Sequence, residues 1–140
     1  MKKGKYLITG CAGFIGSNLV KSLYKKYELI LVDDLSGGSI KNLPNVLKKK
    51  LIKKKIQDIK NIKTKKLSGI FHFAAQVSVP LSLKKFYNST SNNLTSTIKV
   101  FEISKKYKAP VIYASSSAVY GNLSLGDDKI KKFSLLSPYA

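Results

Sequence analysis

The chain has no arginine and no tryptophan, and only one cysteine and one histidine in 140 residues. Each scarcity excludes something. A lone cysteine, Cys11, cannot close a disulfide within the chain, so a cross-linked secreted scaffold is excluded. That thiol is read as a small loop filler in a reducing compartment. No apolar run reaches the ~18 residues of a membrane-spanning helix. Lys2 and Lys3 are not followed by a signal-peptide core, because glycine and threonine interrupt the apolar stretch at once. A cytoplasmic location without a membrane partner is therefore expected, and no metal site is expected. Acidic residues are few, 7 against 26 basic ones, leaving a net charge of +19. All the basic residues are lysines. Arginine is the side chain that forks onto guanine and phosphate, and the lysine runs at 48–50, 53–55 and 65–66 carry no interleaved aromatics to stack bases. Nucleic acid is thus not expected as a specific partner, although loose attraction to polyanions at low salt follows from the charge.

What is present is concentrated near the start. Lys5-Tyr6-Leu7-Ile8-Thr9 reads as a buried strand that runs into Gly10-Cys11-Ala12-Gly13-Phe14-Ile15-Gly16 and then into an amphipathic helix. Three glycines spaced G-x-x-G-x-x-G between strand and helix suit a dinucleotide pyrophosphate. The turn must be tight, the backbone must approach the phosphates, and the helix N-terminus must aim its free N–H groups at the anion. Gly10, Gly13 and Gly16, with Phe14 and Ile15 at the helix start, are the candidate phosphate-side residues. A second strand, Glu28-Leu29-Ile30-Leu31-Val32, ends on Asp33, 23 positions after Gly10. The acid that hydrogen-bonds the adenosine ribose is expected at an offset of about 20. A carboxylate there repels a 2′-phosphate, and no arginine is available to receive one, so NAD is favoured over NADP.

Further along, the spacing predicts a helix over 14–26 with Ile15, Leu19, Val20 and Leu23 on one face. Leu51-Ile52 and Ile56 are the candidates for a third strand, and Pro44 excludes a long helix between 40 and 66. A fourth strand is expected over 68–75, a helix over 88–107 with Leu94, Ile98, Phe101 and Ile103 as its apolar stripe, and a fifth strand over 110–115. Strands alternating with helices imply an α/β fold with a doubly wound parallel Rossmann sheet, order 3-2-1-4-5. Residues 1–140 form one dinucleotide-binding domain in this reading. Ligands of such sheets bind beyond the carboxyl ends of the strands. Phe73-Ala74-Ala75-Gln76-Val77-Ser78, Ser115-Ser116-Ser117 and Ser137-Pro138-Tyr139-Ala140 fall there. Small residues at Ala74 and Ala75 let a ring or phosphate lie against the backbone. His72 is read as a structural strand residue.

Five words in family order carry a resemblance: Thr9 to Gly16, Val32-Asp33-Asp34-Leu35, His72-Phe73-Ala74-Ala75-Gln76, Ser115 to Gly121, and Ser137-Pro138-Tyr139-Ala140. The chain resembles the extended short-chain dehydrogenases/reductases, and within them the nucleotide-sugar epimerase/dehydratase group. The resemblance implies a Rossmann domain followed by a smaller substrate domain. It implies Ser116 and Tyr139 as catalytic residues, with Ser117 and Ser78 on the sugar nucleotide. Asp58 and Ile59 would lie at adenine, and Phe73, Ala74 and Ala75 beside the pyrophosphate and nicotinamide ribose. A phenol ordinarily loses its proton near pH ~10; the family lowers this with a lysine four residues after the tyrosine. That position falls beyond Ala140. The chain is accordingly expected to be the N-terminal part of a longer enzyme, with its substrate domain missing, and to be inactive by itself. Dehydratases and decarboxylases of the group usually carry a glutamate just before Val-Tyr-Gly, because elimination needs an acid and a base at neighbouring carbons. Ser117-Ala118 stands there. This favours 4-epimerisation of a nucleotide sugar such as a UDP-hexose, with a homodimer as the family assembly. A dehydratase or reductase of the same family, or a catalytically inactive dinucleotide-binding module, is the alternative.

Overall fold

The computed structural model describes residues 4–122 and 135–140. Five parallel strands form one sheet in the order β3-β2-β1-β4-β5. They are β1 (Lys5–Thr9), β2 (Glu28–Val32), β3 (Leu51–Ile52), β4 (Gly69–His72) and β5 (Val111–Tyr113). The expected order is the observed one. Alternation along β1 sends Leu7 and Ile8, both fully buried, to opposite faces. Leu7 joins Val32, Ile59, Ile70, Val100 and Ile103 in one core cluster, and Ile8 joins Cys11, Val20, Leu31, Leu43 and Leu47 in the other. The second face is covered by α1 (Phe14–Leu23) and α2 (Asn45–Lys48), the first by α4 (Phe86–Tyr107).

The register brings the strand ends into line. Thr9 pairs with Val32 on one side and His72 on the other, and His72 with Tyr113. Gly10, Asp33, Phe73 and Ala114 therefore leave the sheet side by side.

Several boundaries differ from the sequence reading. α1 stops at Leu23, because Glu28 must reach Lys5: the Glu28 N–H donates to the Gly4 carbonyl (2.9 Å) and its carboxylate pairs with Lys5 Nζ (2.8 Å). Ile56 lies on a 3-10 turn, Ile56–Asp58, and plugs the core at 1% exposure instead of extending β3. β4 and β5 are shorter than expected, since pairing ends at His72 and Tyr113. A short helix, α3 (Val79–Lys84), was not anticipated. Its signals are Pro80 in the first turn and Ser78 as N-cap, whose Oγ accepts the Leu81 N–H (3.3 Å).

The apolar stripe assigned to α4 needs correction. Its buried positions are Ser89, Ser96, Val100 and Ile103. Leu94, Ile98 and Phe101 lie half or more exposed (57%, 50% and 50%), as do Ile112 and Tyr113 on β5 (both 59%). Among the described residues β5 pairs only with β4. An open parallel edge beside exposed apolar side chains favours self-association, and the +19 charge opposes it. Screening shortens from about 10 Å at 0.1 M salt to about 3 Å at 1 M. The 140-residue chain is therefore expected to self-associate as salt is raised. Sedimentation velocity across a salt series checks this, and one unchanged compact species at every salt concentration would contradict it.

Candidate nucleotide crevice

The turn between β1 and α1 is set by two backbone contacts. Gly10 has φ +64°, and a Cβ there would lie 2.5 Å from the Phe73 carbonyl carbon and 2.6 Å from the Ala74 nitrogen. At Gly16 a Cβ would collide with the Gly10 carbonyl oxygen and come within 2.9 Å of the Cys11 Cα. Gly13 is different. Its backbone is extended (φ −74°, ψ 178°), and its only neighbour is the Gly10 oxygen at 3.4 Å. Protein packing thus demands glycine at 10 and 16 but leaves space at 13. The first bond of α1 is from the Ser17 N–H to the Gly13 carbonyl (3.0 Å), and no side chain caps the helix. Phe14 and Ile15 stand exposed there (85% and 57%), and their N–H groups have no hydrogen-bond partner among the described residues.

Asp33 is buried at 7% exposure. Its Oδ2 accepts the Ala12 N–H and its Oδ1 the Leu35 N–H, both at 2.8 Å. The second bond holds Leu35 at φ +63°, a conformation that non-glycine residues rarely adopt. Asp33 therefore ties the glycine turn to the loop after β2, and each oxygen keeps lone-pair capacity for a further donor. Gly38, read from sequence only as part of a loop, belongs to the same wall. A Cβ on it would meet the Ala12 carbonyl carbon at 2.7 Å, and the Ser39 N–H and Asn42 Nδ2 both donate to the Ala12 oxygen. The doubled glycine Gly37-Gly38, three residues beyond Asp34, was the available signal. Burial, aided by the charge of Asp33, pushes the Cys11 thiol up to about 12, so this cysteine is an inert packing residue.

On the other side of β1, the loop leaving β4 carries Phe73 and Ala74, both partly buried, and exposed Ala75. Phe73 packs near Phe71 (ring centroids 6.2 Å apart). Asp58 ends its 3-10 turn exposed, while the Ile59 side chain lies in the core, so only the backbone of Ile59 can face a ligand. Ser116 follows β5, where its Oγ accepts the Ala118 N–H (3.2 Å) and starts the 3-10 turn Ser117–Tyr120. Ser117 is exposed. Tyr139 sits on a turn closed by the Ala140 N–H on the Ser137 carbonyl (3.1 Å). The structure brings Gly10, Asp33, Phe73 and Ser116 to the same end of the sheet, but no hydrogen bond among the described residues joins Tyr139 to Ser116.

His72 is buried between β1 and α4. Its Nδ1 lies 2.7 Å from Thr9 Oγ1 and its Nε2 3.3 Å from Thr97 Oγ1. The partners assign its proton. Thr9 Oγ1 already accepts the Ala74 N–H (3.3 Å), so its hydrogen goes to Nδ1; Thr97 donates to the Asn93 carbonyl (2.9 Å), so it accepts from Nε2–H. Burial holds His72 below the usual histidine value of 6.5.

Comparison with known proteins matches this arrangement. The family model described as GDP-mannose 4,6 dehydratase covers residues 7–140. A solved UDP-N-acetylglucosamine 4-epimerase from Methanobrevibacter ruminantium, in complex with UDP-N-acetylmuramic acid, is 35% identical with a TM-score of 0.86. The match covers 99% of this chain and 46% of that one. A dTDP-D-glucose 4,6-dehydratase from Dictyostelium discoideum is 40% identical over 136 residues, 89% of this chain and 31% of its own length. The structure of TunA, an NAD-dependent NDP-hexosamine 5,6-dehydratase, is 28% identical with a TM-score of 0.84, covering 98% of this chain and 45% of that one. This chain belongs to the nucleotide-sugar epimerase/dehydratase family of short-chain dehydrogenases/reductases. It spans less than half the length of these family members.

Two predictions follow from the site itself. Gly16→Ala is expected to destabilise the fold by about 1–3 kcal/mol or more, because it overpacks backbone against backbone, whereas Gly13→Ala should change stability by less than about 1 kcal/mol. Denaturant unfolding of both variants checks the contrast, and equal losses would refute it. The second concerns pH. His72 has a lowered folded value, so its contribution is fully present above the unfolded pKa and is lost as pH falls toward the folded one. Stability should therefore decline below pH about 6.5, with a slope of at most about 1.4 kcal/mol per pH unit for one proton. His72→Asn should flatten that decline. As the chain has one histidine, an unchanged slope in the variant would show that His72 is not its source.

Proposed function

We propose that this chain is the NAD-binding part of a nucleotide-sugar 4-epimerase. The observation that carries the nucleotide reading is the open space at Gly13 beside the uncapped start of α1. Glycine is present there although no protein atom requires it, which is expected where a pyrophosphate approaches the backbone. In this reading the Phe14 and Ile15 N–H groups bind phosphate oxygens, and the remaining lone pairs of Asp33 accept the adenosine ribose hydroxyls. Asp58 and the Ile59 backbone lie at adenine, and Phe73, Ala74 and Ala75 line the pyrophosphate and nicotinamide ribose. Bound NAD would supply the acceptor and donor of hydride.

Epimerisation is favoured over dehydration by Ser117-Ala118 after β5, where the group's dehydratases use ionisable side chains. Neither residue can protonate a leaving hydroxyl. Ser116 would hydrogen-bond the reacting sugar hydroxyl, Tyr139 would remove its proton, and Ser117 and Ser78 would hold the sugar nucleotide, a UDP-hexose. The similarity to a 40% identical dehydratase keeps dehydration as the competing reading. Product mass in the whole enzyme separates them: an epimer keeps the substrate's mass and a dehydration product loses one water. The exposed face of α4, Leu94, Ile98 and Phe101, is the surface on which a homodimer would form in this reading.

The cofactor assignment is tested by calorimetric titration of the 140-residue chain. NAD should bind more tightly than NADP, and Gly13→Ala should weaken NAD about tenfold or more while leaving the unfolding midpoint nearly unchanged. Equal affinity for the two dinucleotides, or no effect of Gly13→Ala, would overturn the assignment.

A further inference from the structure

The loop that leaves β4 passes beyond the sheet ladder after the Phe73 N–H bonds the Thr9 carbonyl (3.1 Å). From there to Ser78 it has little packing to hold it, since Ala75 and Val77 are exposed. Its backbone is nevertheless pinned at two points, both by polar side chains. The Asn93 amide grips Gln76 from both directions. Its Oδ1 accepts the Gln76 N–H (2.8 Å) and its Nδ2 donates to the Gln76 carbonyl (3.0 Å), as a neighbouring strand would. At Ala74 the N–H reaches Thr9 Oγ1, which donates to His72, which donates to Thr97. Asn93 and Thr97 lie one turn apart on α4, and the Thr97 hydroxyl donates to the Asn93 carbonyl (2.9 Å). One turn of helix thus holds both pins.

We infer that Asn93 and Thr97 are positioning residues that set how close the Phe73–Gln76 backbone comes to the pyrophosphate and nicotinamide half of the dinucleotide. This rests on the NAD-binding reading above. In that reading the adenosine half is held by a different part of the chain, the Asp33 wall and the Asp58 turn, to which neither residue hydrogen-bonds directly among the described residues. Asn92, which donates to Asn93 Oδ1 (3.3 Å), is the residue that accepts from Gln57 on that turn (3.3 Å). The two halves of the ligand should therefore respond differently. Loss of the Asn93 amide leaves both Gln76 backbone groups without their partner, and loss of the Thr97 hydroxyl leaves the His72 Nε2–H without its acceptor.

The test measures AMP and NAD affinities by calorimetry, and amide hydrogen exchange at Ala74 and Gln76, in the parent chain and three variants. Asn93→Ala is expected to weaken NAD about tenfold, the two lost hydrogen bonds to the loop giving roughly half the effect each. AMP affinity should stay within about twofold. Exchange at Gln76 should accelerate. Thr97→Val, close in shape, should weaken NAD by a smaller factor and accelerate exchange at Ala74, and Thr97→Ser should restore both. Several outcomes would overturn the inference. If Asn93→Ala binds NAD as the parent does, or weakens AMP and NAD alike, Asn93 does not position this loop. The same holds for Thr97 if Thr97→Ser fails to rescue. Should Asn93→Ala not fold, the threonine pair decides alone. A parent chain that binds neither AMP nor NAD would refute the nucleotide reading itself, and the inference with it, whereas the other failures leave that reading standing.

Discussion

Everything at the carboxyl end of the sheet depends on how closely α1 approaches β1. Gly16 rests against the Gly10 carbonyl, leaving no volume for a methyl group. That contact swings the helix start toward the strand end and keeps its N–H groups beside the crevice. Gly10 in turn presses on the Phe73–Ala74 peptide, so the same turn sets the position of the loop from β4. Close packing transmits such constraints because an interior without voids has no slack to absorb them. Gly10 and Gly16 thus act as spacers between three backbones, and Gly13 alone of the three is free of that constraint.

Around this contact the crevice is built almost wholly from backbone, with polar side chains holding it, Asp33 and Thr9 buried among them. Asp33 fixes Ala12 and Leu35, Asn42 fixes Ala12, Asn93 fixes Gln76, and Thr9 fixes Ala74. Backbone groups secured in this way do not have to be ordered when a ligand arrives, which lowers the entropic cost of binding. Asp33 shows how one residue serves both ends. Its carboxylate is held by the Ala12 and Leu35 N–H groups, so the chain itself fixes its orientation.

The strands and the glycine turn were legible because both rest on local signals: short apolar runs of strand length, and glycines such as Gly10 and Gly16 where a Cβ has no room. The strand order followed from the alternation of strands with helices. Asp33 was legible by position but not by partners, since its bond to Ala12 reaches a turn 21 residues away and its bond to Leu35 depends on a left-handed residue that is not glycine. The α4 stripe misled for a related reason. Apolar spacing at Leu94, Ile98 and Phe101 marks a helix face but not which face meets the sheet. The buried face carries Val100 and Ile103 with the small residues Ser89 and Ser96. Gly38 and Asn93 were missed because a glycine in a glycine–serine loop, or an asparagine within a polar helix, carries no pattern of its own. Ile56 failed as a strand because pairing with β2 ends at Ile52, which no local signal records.

The first half of α4 is the part whose sequence most opposes its structure. From Asn88 to Thr97 every residue but Leu94 is serine, threonine or asparagine, all poor helix formers. Their hydroxyls fold back on the helix, Thr95 onto the Ser91 carbonyl (2.6 Å) and Ser96 onto that of Asn93 (2.9 Å), which weakens a helix rather than reinforcing it. Local rules of this kind are broken where something beyond stability is served. Here the same short stretch supplies Asn92 to Gln57 (3.3 Å), Asn93 to Gln76, and Thr97 to His72. Leucine or alanine at these positions would make a firmer helix, but Gln57 and the Gln76 backbone would lose their polar partners on it. The polar run is the physical means by which one helix, packed on the sheet by Val100 and Ile103 further along, holds both sides of the crevice in a fixed relation.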